Sequence, residues 1–464
     1  MDPEEFRRRG YEMVDWVADY LTNVTDYPVN SSIEPGAIRE ALPAQAPEEP
    51  EPFDAVMRDL NEIVMPGITH WQSPNWFAYF PANSSGPSLL GEMAAAGLGV
   101  QGMLWSTSPA ATELESVVAD WLVDLLGLPQ AWKTNGPGGG VIQMSASDSS
   151  HVALVTAREV ARQQAPLDKL VVYASDQTHS SVEKGARIAG FTHIRVIPSD
   201  GEFAMDTSAL VSQIAADRSA GLCPAFVAIS VGTTATTAVD PVRAIATIAR
   251  EQNMWVHVDA AYAGSAMICP EFRHHQDGLE FVDSYTFNPH KWMFTNFDCN
   301  LYYVADRRPL LNAMSILPPY LRNEATLSGK VIDYRDWHVP LGRRFRSLKL
   351  WFVLRHYGAA GIRHHIREHI ALAQDLAARI AADARFEIVA PHPFALVVFR
   401  HVNGNEATED LAARLNASGR VAITATTLDD QSAIRISIGQ TMTSAVHVNA
   451  LWEMIDNAAD GTDI

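Results

Sequence analysis

Between residues 170 and 304 the chain repeats one pattern, a short apolar and largely β-branched run followed by a stretch with helical spacing. The runs fall at 170–174, 194–197, 225–231, 255–259, 281–287 and 301–304, and helical segments such as 207–219 and 241–252 lie between several of them. Strands this uniformly apolar are buried on both faces, and their alternation with helices predicts a largely parallel sheet covered by helices. Ligands of such sheets gather beyond the carboxyl ends of the strands, so chemistry is to be sought just after each run.

The flanks read differently. Asp2 is placed to cap a helix, Pro3 suits its first turn and Glu5 completes a capping box. Phe6, Met13, Val14, Val17, Leu21 and Val24 then recur at helical spacing. Pro28, Pro35, Pro43, Pro47, Pro50 and Pro52 cannot continue that helix and suggest an extended arm. Phe53, Val56, Met57, Leu60 and Ile63 mark a second short amphipathic helix. Two thin helices on such an arm cannot bury their apolar faces on each other, which implies packing on a partner subunit. Beyond residue 350 come a long helix at 361–383 and then short strands and helices. The expected division is a helical arm over 1–85, a large α/β domain over 86–350 and a small α+β domain over 351–464.

Composition narrows the classes of function. Lys and Arg total 35 against 54 Asp and Glu, and the formal charge of −19 repels phosphate backbones, which argues against nucleic-acid binding. No apolar run approaches the ~20 residues of a membrane helix. Met1 to Phe6 lack the basic-then-apolar order of a secretory signal. Three cysteines, Cys223, Cys269 and Cys299, supply neither a disulfide framework nor a clip for zinc. The expectation is a cytoplasmic enzyme without a metal.

One glycine motif is a decoy. Gly97-Leu98-Gly99-Val100-Gln101-Gly102 matches the dinucleotide pattern G-x-G-x-x-G, but it follows a helical stretch and no strand. The run Gly136-Pro137-Gly138-Gly139-Gly140 leads instead to Ser145-Ala146-Ser147-Asp148. A helix starting at Ser147 would let a phosphate approach its free N–H groups, although a plain serine cap accounts for the same residues. Asn288-Pro289-His290-Lys291-Trp292 follows the run at 281–287. Its lysine is either a solvated boundary residue or, flanked by apolar and aromatic side chains, an amine made nucleophilic by desolvation. Asp259 closes the run at 255–259 and needs a partner, either a helix cap or a protonated ring nitrogen beside the small Ala260 and Ala261. A phosphate-holding helix start, an acid and a lysine are together what pyridoxal phosphate requires, and His179, after the run at 170–174, adds an imidazole at the same edge.

With these residues the chain resembles the group II pyridoxal-phosphate decarboxylases, in particular the aromatic L-amino-acid decarboxylases, over essentially its full length. The resemblance rests on FRRRGYEMVDW, IEPGAIRE, MPGITHWQSPNWFAYFP, SPAATELE, GGGVIQMSAS, SDQTHSSVEKG, HVDAAYAGSA, CPEFRH, FNPHKWM and PLGRRFRSLK, in that order. It implies a fold type I enzyme with a mostly parallel seven-stranded sheet, and a homodimer with active sites at the interface. It also implies decarboxylation of an aromatic L-amino acid (tyrosine, dopa, tryptophan or phenylalanine) to the arylalkylamine and CO2.

By position, Lys291 matches the Schiff-base lysine, Asp259 the acid at the pyridine nitrogen, His179 the histidine stacked on the ring and Ala261 its other face. Ala146, Ser147, Asn288 and His290 match phosphate-site positions, and Thr234 a threonine near the ring. Tyr320 matches the tyrosine of the family's catalytic loop, and Trp71, Phe80, Pro81, Ala82, Gln101, Met103 and Gly342 fall where the family lines its substrate pocket. Ala82 stands where the animal dopa enzymes have threonine, and Gln101 and Met103 replace more hydrophobic or aromatic residues. Gly342 resembles the small residue of indole-accepting relatives. The rival reading is an aromatic acetaldehyde synthase, which decarboxylates and then lets oxygen intercept the carbanion. Such relatives typically lose the loop tyrosine to Phe or the histidine to Asn, whereas this chain keeps both.

Overall fold

The computed structural model describes residues 1–316, 324–327 and 330–462. Strands β1 (Gly139–Gln143), β2 (Leu170–Ser175), β3 (His193–Ile197), β4 (Cys223–Ser230), β5 (Trp255–Asp259), β6 (Ser284–Phe287) and β7 (Asn300–Val304) form a seven-stranded sheet. Its order is β1-β7-β6-β5-β4-β2-β3. Strands β2 to β6 pair in parallel, as their alternation with helices dictates, while β7 runs antiparallel to both β6 and β1. The reason is local: the connection from β6 to β7 holds a single helix of 4 residues, Pro289–Trp292, too short for a parallel crossover.

Strand β1 lies outside the apolar runs. It opens with two glycines because its neighbours leave no room: a Cβ on Gly139 would stand 2.7 Å from the Trp337 ring, and one on Gly140 2.5 Å from Tyr303. The helices Ala146–Ala161 and Ser181–Ile188 cover part of the sheet, packing Val152, Leu154, Ala157, Val182 and Ala186 with Val172 and Phe226 in one fully buried cluster. Burial of each large apolar side chain contributes ~1.5–3 kcal/mol. The helices Thr207–Ser219 and Val242–Glu251 stand where the spacing placed them. The decoy is resolved as well: the helix Gly86–Leu98 ends on a left-handed Gly99, so these glycines belong to a helix stop.

Two compact units result. The larger comprises 82–374 and 389–398 and contains the seven-stranded sheet. The smaller comprises 1–81, 375–388 and 399–464, so the N-terminal residues share a unit with the C-terminal ones. Main-chain bonds explain this: Val29 N–H donates to Gly419 at 2.8 Å, Phe77 N–H to Ala422 at 2.9 Å, and Ser437 N–H to Phe77 at 2.9 Å. The compact units divide at 81 and within the long helix. That helix starts at Arg346, and its stretches 346–357 and 359–382 meet at a kink on Gly358 (φ 62°), which reads in the sequence as a break. Strands β8 (Phe386–Ile388), β9 (Leu396–His401), β10 (Thr424–Leu428) and β11 (Gln431–Ser437) form a second sheet, in the order β10-β11-β9-β8, with antiparallel pairs β10/β11 and β8/β9. In the N-terminal helix Pro3–Thr22, Asp2 accepts the Glu5 N–H at 2.8 Å as expected. Among the described residues no helix is long and apolar enough to cross a membrane.

Candidate active site

Asp259 ends β5, Lys291 sits in the short helix after β6, and His179 follows β2. The fold brings the three within electrostatic reach. Crowding by protein atoms lowers the His179 pKa, the Asp259 carboxylate opposes that shift, and the Lys291 ammonium reinforces it. Asp259 is 9% exposed and its Oδ1 accepts the Ala261 N–H at 2.9 Å. The cap bond therefore exists, and Oδ2 meets no donor among the described residues. Lys291 is half-buried.

Two imidazoles have their tautomers set by main-chain donors. The Nδ1 of His179 accepts the Ser181 N–H at 3.2 Å and lies 2.8 Å from the Ser181 hydroxyl. A backbone N–H can only donate, so the neutral ring carries its proton on Nε2. Ser181 opens the helix Ser181–Ile188, whose positive end also disfavours a cationic ring. His290 is buried, and its Nδ1 accepts the Cys299 N–H at 2.9 Å. Burial, helped by Lys291, pushes its pKa down to about 3, so it is a neutral donor through Nε2.

The helix Ala146–Ala161 begins one residue before the expected Ser147, and its cap is Ser145, which accepts the Asp148 N–H at 3.3 Å. Ala146 and Ser147 thus occupy the first turn, where N–H groups have no intrahelical acceptor, and Ser147 is exposed. Asn288 is 3% exposed and lies directly before the lysine helix. Thr234 is an exposed residue of the turn after β4. Ala261 is half-buried and its carbonyl accepts the Asn288 N–H at 3.0 Å.

The positions matched to the substrate pocket fall into both units. In the larger, the Arg343 N–H donates to Gln101 Oε1 at 3.0 Å, and a Cβ on Gly342 would lie 3.5 Å from Gln101 Nε2. Gly342 also shares a cleft with Met144 and Asp148, at the start of the helix Ala146–Ala161. The Met103 carbonyl accepts the Arg335 N–H at 3.1 Å, and Ala82 is half-buried. In the smaller unit, Trp71 lies 4.3 Å from Trp76 and 5.7 Å from Tyr79 between ring centres, Phe80 packs under the Arg435 guanidinium, and Pro81 is buried. Tyr320 lies outside the described residues.

Sequence reading passed over the ion pair beneath the Gly342 segment. Arg343 and Glu115, with side chains 2% and 3% exposed, meet at 2.6 Å; Arg343 also donates to the Ile142 carbonyl, and Glu115 accepts the Ile142 N–H at 2.7 Å. The available signal was a glutamate on the apolar face of the helix Pro109–Leu126, in register with Ala111, Val118, Ala119 and Leu122. Among the described residues no cluster of three His, Cys, Asp or Glu side chains could hold a metal ion.

Residues 35–402 match the family described as "Pyridoxal-dependent decarboxylase conserved domain". The chain is a group II pyridoxal-phosphate-dependent decarboxylase. It is 45% identical to tryptophan decarboxylase 2 of Oryza sativa subsp. japonica over 473 residues, covering 99% of this chain and 95% of the relative. It is 46% identical to phenylacetaldehyde synthase of Petunia hybrida over 480 residues, with 99% and 95% covered. The crystal structure of Oryza sativa TDC with PLP and tryptamine matches it with a TM-score of 0.98 at 41% identity, over 99% of each chain. The fold is that of fold type I, and the decarboxylase lies within a family acting on aromatic amino acids that contains both decarboxylases and aldehyde synthases.

Its donor set fits pyridoxal phosphate. The lysine amine suits the aldehyde, and the open Asp259 oxygen suits a protonated ring nitrogen. The first-turn N–H groups of Ala146 and Ser147, the Asn288 amide and the His290 Nε2–H suit the phosphate.

Proposed function

We propose that this decarboxylase removes CO2 from an aromatic L-amino acid and releases the arylalkylamine. The convergence of His179, Asp259 and Lys291 from three strand ends carries this reading. Pyridoxal phosphate, when bound, supplies an electron sink for the pair freed as CO2 departs. Lys291 tethers it, and Ala146, Ser147, Asn288 and His290 hold its phosphate. His179 and Ala261 flank the ring and Thr234 lies near it. The Asp259 carboxylate keeps the ring nitrogen protonated, a charge-assisted contact worth ~1.5–3 kcal/mol. Tyr320 delivers a proton to the former α-carbon, assisted by the His179 Nε2–H. Ala82, Gln101, Met103 and Gly342 of the larger unit contact the substrate side chain, and the missing side chain at Gly342 makes room for a bulky ring.

Amine formation is favoured over aldehyde formation because the chain keeps both His179 and Tyr320. The deciding measurement is CO2, amine and peroxide released from tyrosine, dopa, tryptophan and phenylalanine. Amine equal to CO2 with little peroxide is expected; peroxide equal to CO2 overturns the reading in favour of an aldehyde synthase. Tyr320→Phe is expected to divert product to aldehyde, ammonia and peroxide. Hydride trapping followed by peptide mass spectrometry is expected to find the cofactor on Lys291.

A homodimer belongs to the same reading. The helix Pro3–Thr22 buries none of its residues within the chain and leaves Phe6 62% and Tyr11 68% exposed. Gel filtration of active protein at the monomer volume would remove the dimer.

A further inference from the structure

Asn288 can serve an anion only if its amide is turned the right way. A carbonyl facing a phosphate repels it, whereas an NH2 group binds it, and the two orientations have the same shape. Asn300, the first residue of β7 and fully buried, decides between them. Its Nδ2 lies 2.9 Å from the Phe287 carbonyl, 2.8 Å from Thr286 Oγ1 and 2.7 Å from Asn288 Oδ1. The Phe287 carbonyl can only accept, and the Thr286 hydroxyl spends its proton on the Leu301 carbonyl at 3.0 Å. Both therefore require the NH2 end of Asn300 on that side. On the other side Asn300 Oδ1 accepts the Ser149 hydroxyl, which belongs to the helix Ala146–Ala161. With its NH2 end fixed on that side by the Phe287 carbonyl, Asn300 shares two N–H bonds among three acceptors, and because a second NH2 group there would meet only a donor, it holds the Asn288 carbonyl inward. The Asn288 Nδ2, on a residue 3% exposed, has no hydrogen-bond partner among the described residues.

We propose that Asn300 is a positioning residue for the cofactor phosphate: it polarises the Asn288 amide so that Nδ2 is its outward, anion-binding end. The chain of donors runs in one direction, from the Ser149 hydroxyl through the Asn300 amide to the Asn288 amide. The neighbouring residue does the same for His290, since the Cys299 N–H takes Nδ1 and leaves Nε2–H as the donor. The start of the antiparallel strand β7 and the residue before it thus set the polarity of two side chains at the lysine helix, Asn288 at its cap and His290 within it. The inference rests on the reading that Asn288 meets the phosphate.

The test compares two probes on the full-length protein, pyridoxal phosphate and pyridoxal, which lacks the phosphate. The holoprotein is stripped, reloaded with either probe and followed by visible absorbance. Asn300→Asp removes the fixed NH2 group and offers an oxygen in its place, which invites Asn288 to turn over. It is expected to weaken pyridoxal phosphate by about 10- to 100-fold while changing pyridoxal by less than about 3-fold. Asn300→Ala, which lets Asn288 sample both orientations, is expected to show the same selectivity at about 3- to 10-fold and serves if the aspartate variant does not fold. Equal losses for both probes, or an unchanged affinity for pyridoxal phosphate, overturn the role of Asn300. Absence of any hydride-sensitive visible band in the unaltered protein would instead remove the cofactor reading itself.

Discussion

The larger unit contains two groups of candidate residues built on different principles. Asp259, Asn288, His290 and Lys291 stand on or just beyond the ends of buried strands, where main-chain bonds to adjacent segments fix each one. Gln101 and Gly342 belong to exposed segments without regular structure, tied to each other through Arg343, whose buried guanidinium is held by Glu115 and the Ile142 carbonyl. Groups that do chemistry need their orientation held by the sheet, whereas groups that select a side chain can sit on loops that vary without disturbing it. The cost is that the loop wall depends on the long-range contacts of one side chain, Arg343.

The contrast is sharpest if chemistry and stability separate. Asp259→Asn keeps an oxygen for the Ala261 N–H but drops the charge, and is expected to lower kcat by about 10²- to 10³-fold with the melting temperature unchanged. A comparable fall in melting temperature would show that Asp259 is structural. Glu115→Ala should do the reverse, stranding the Arg343 charge at a cost of about 3–5 kcal/mol in urea unfolding. An unfolding midpoint near that of the parent would break the claim that this pair holds the wall. Gly342→Val should change preference without touching stability, cutting kcat/KM for tryptophan relative to phenylalanine by about 10-fold or more. Equal effects on both substrates would place Gly342 away from the ring.

The remaining expected effect is on acid stability. His290 and His257 are held neutral, with pKa values of about 3 and about 4 against the ordinary 6.5. Below 6.5 the unfolded chain takes up protons that the native fold refuses, so stability falls as pH drops toward those lowered values. Each histidine contributes about 1.4 kcal/mol per pH unit over that window. A flat melting temperature across it would show that both rings are protonated in the fold.

Much of this was legible along the chain. The strand ends at Asp259 and Phe287 could be read because uninterrupted apolar runs mark buried strands and stop where polar residues begin. Strand β1 could not, because its glycines record the closeness of Trp337 and Tyr303 and not any strand preference of their own. The direction of β7 was equally hidden, since periodicity reports burial and carries no sign. The helix start moved from Ser147 to Ala146, with Ser145 as its cap, because both serines satisfy the same local rule and only the path of the chain chooses between them.

What the sequence determined by itself was the set of chemical groups and the sheet that would present them, because side-chain type and burial rhythm are written residue by residue. The tertiary structure alone decided which way those groups face. Asn288 owes its orientation to Asn300, His179 to the N–H of Ser181, and the Gly342 segment to Glu115, 228 residues from Arg343. Hydrogen bonds and ion pairs depend on distance in space, and separation along the chain does not specify it.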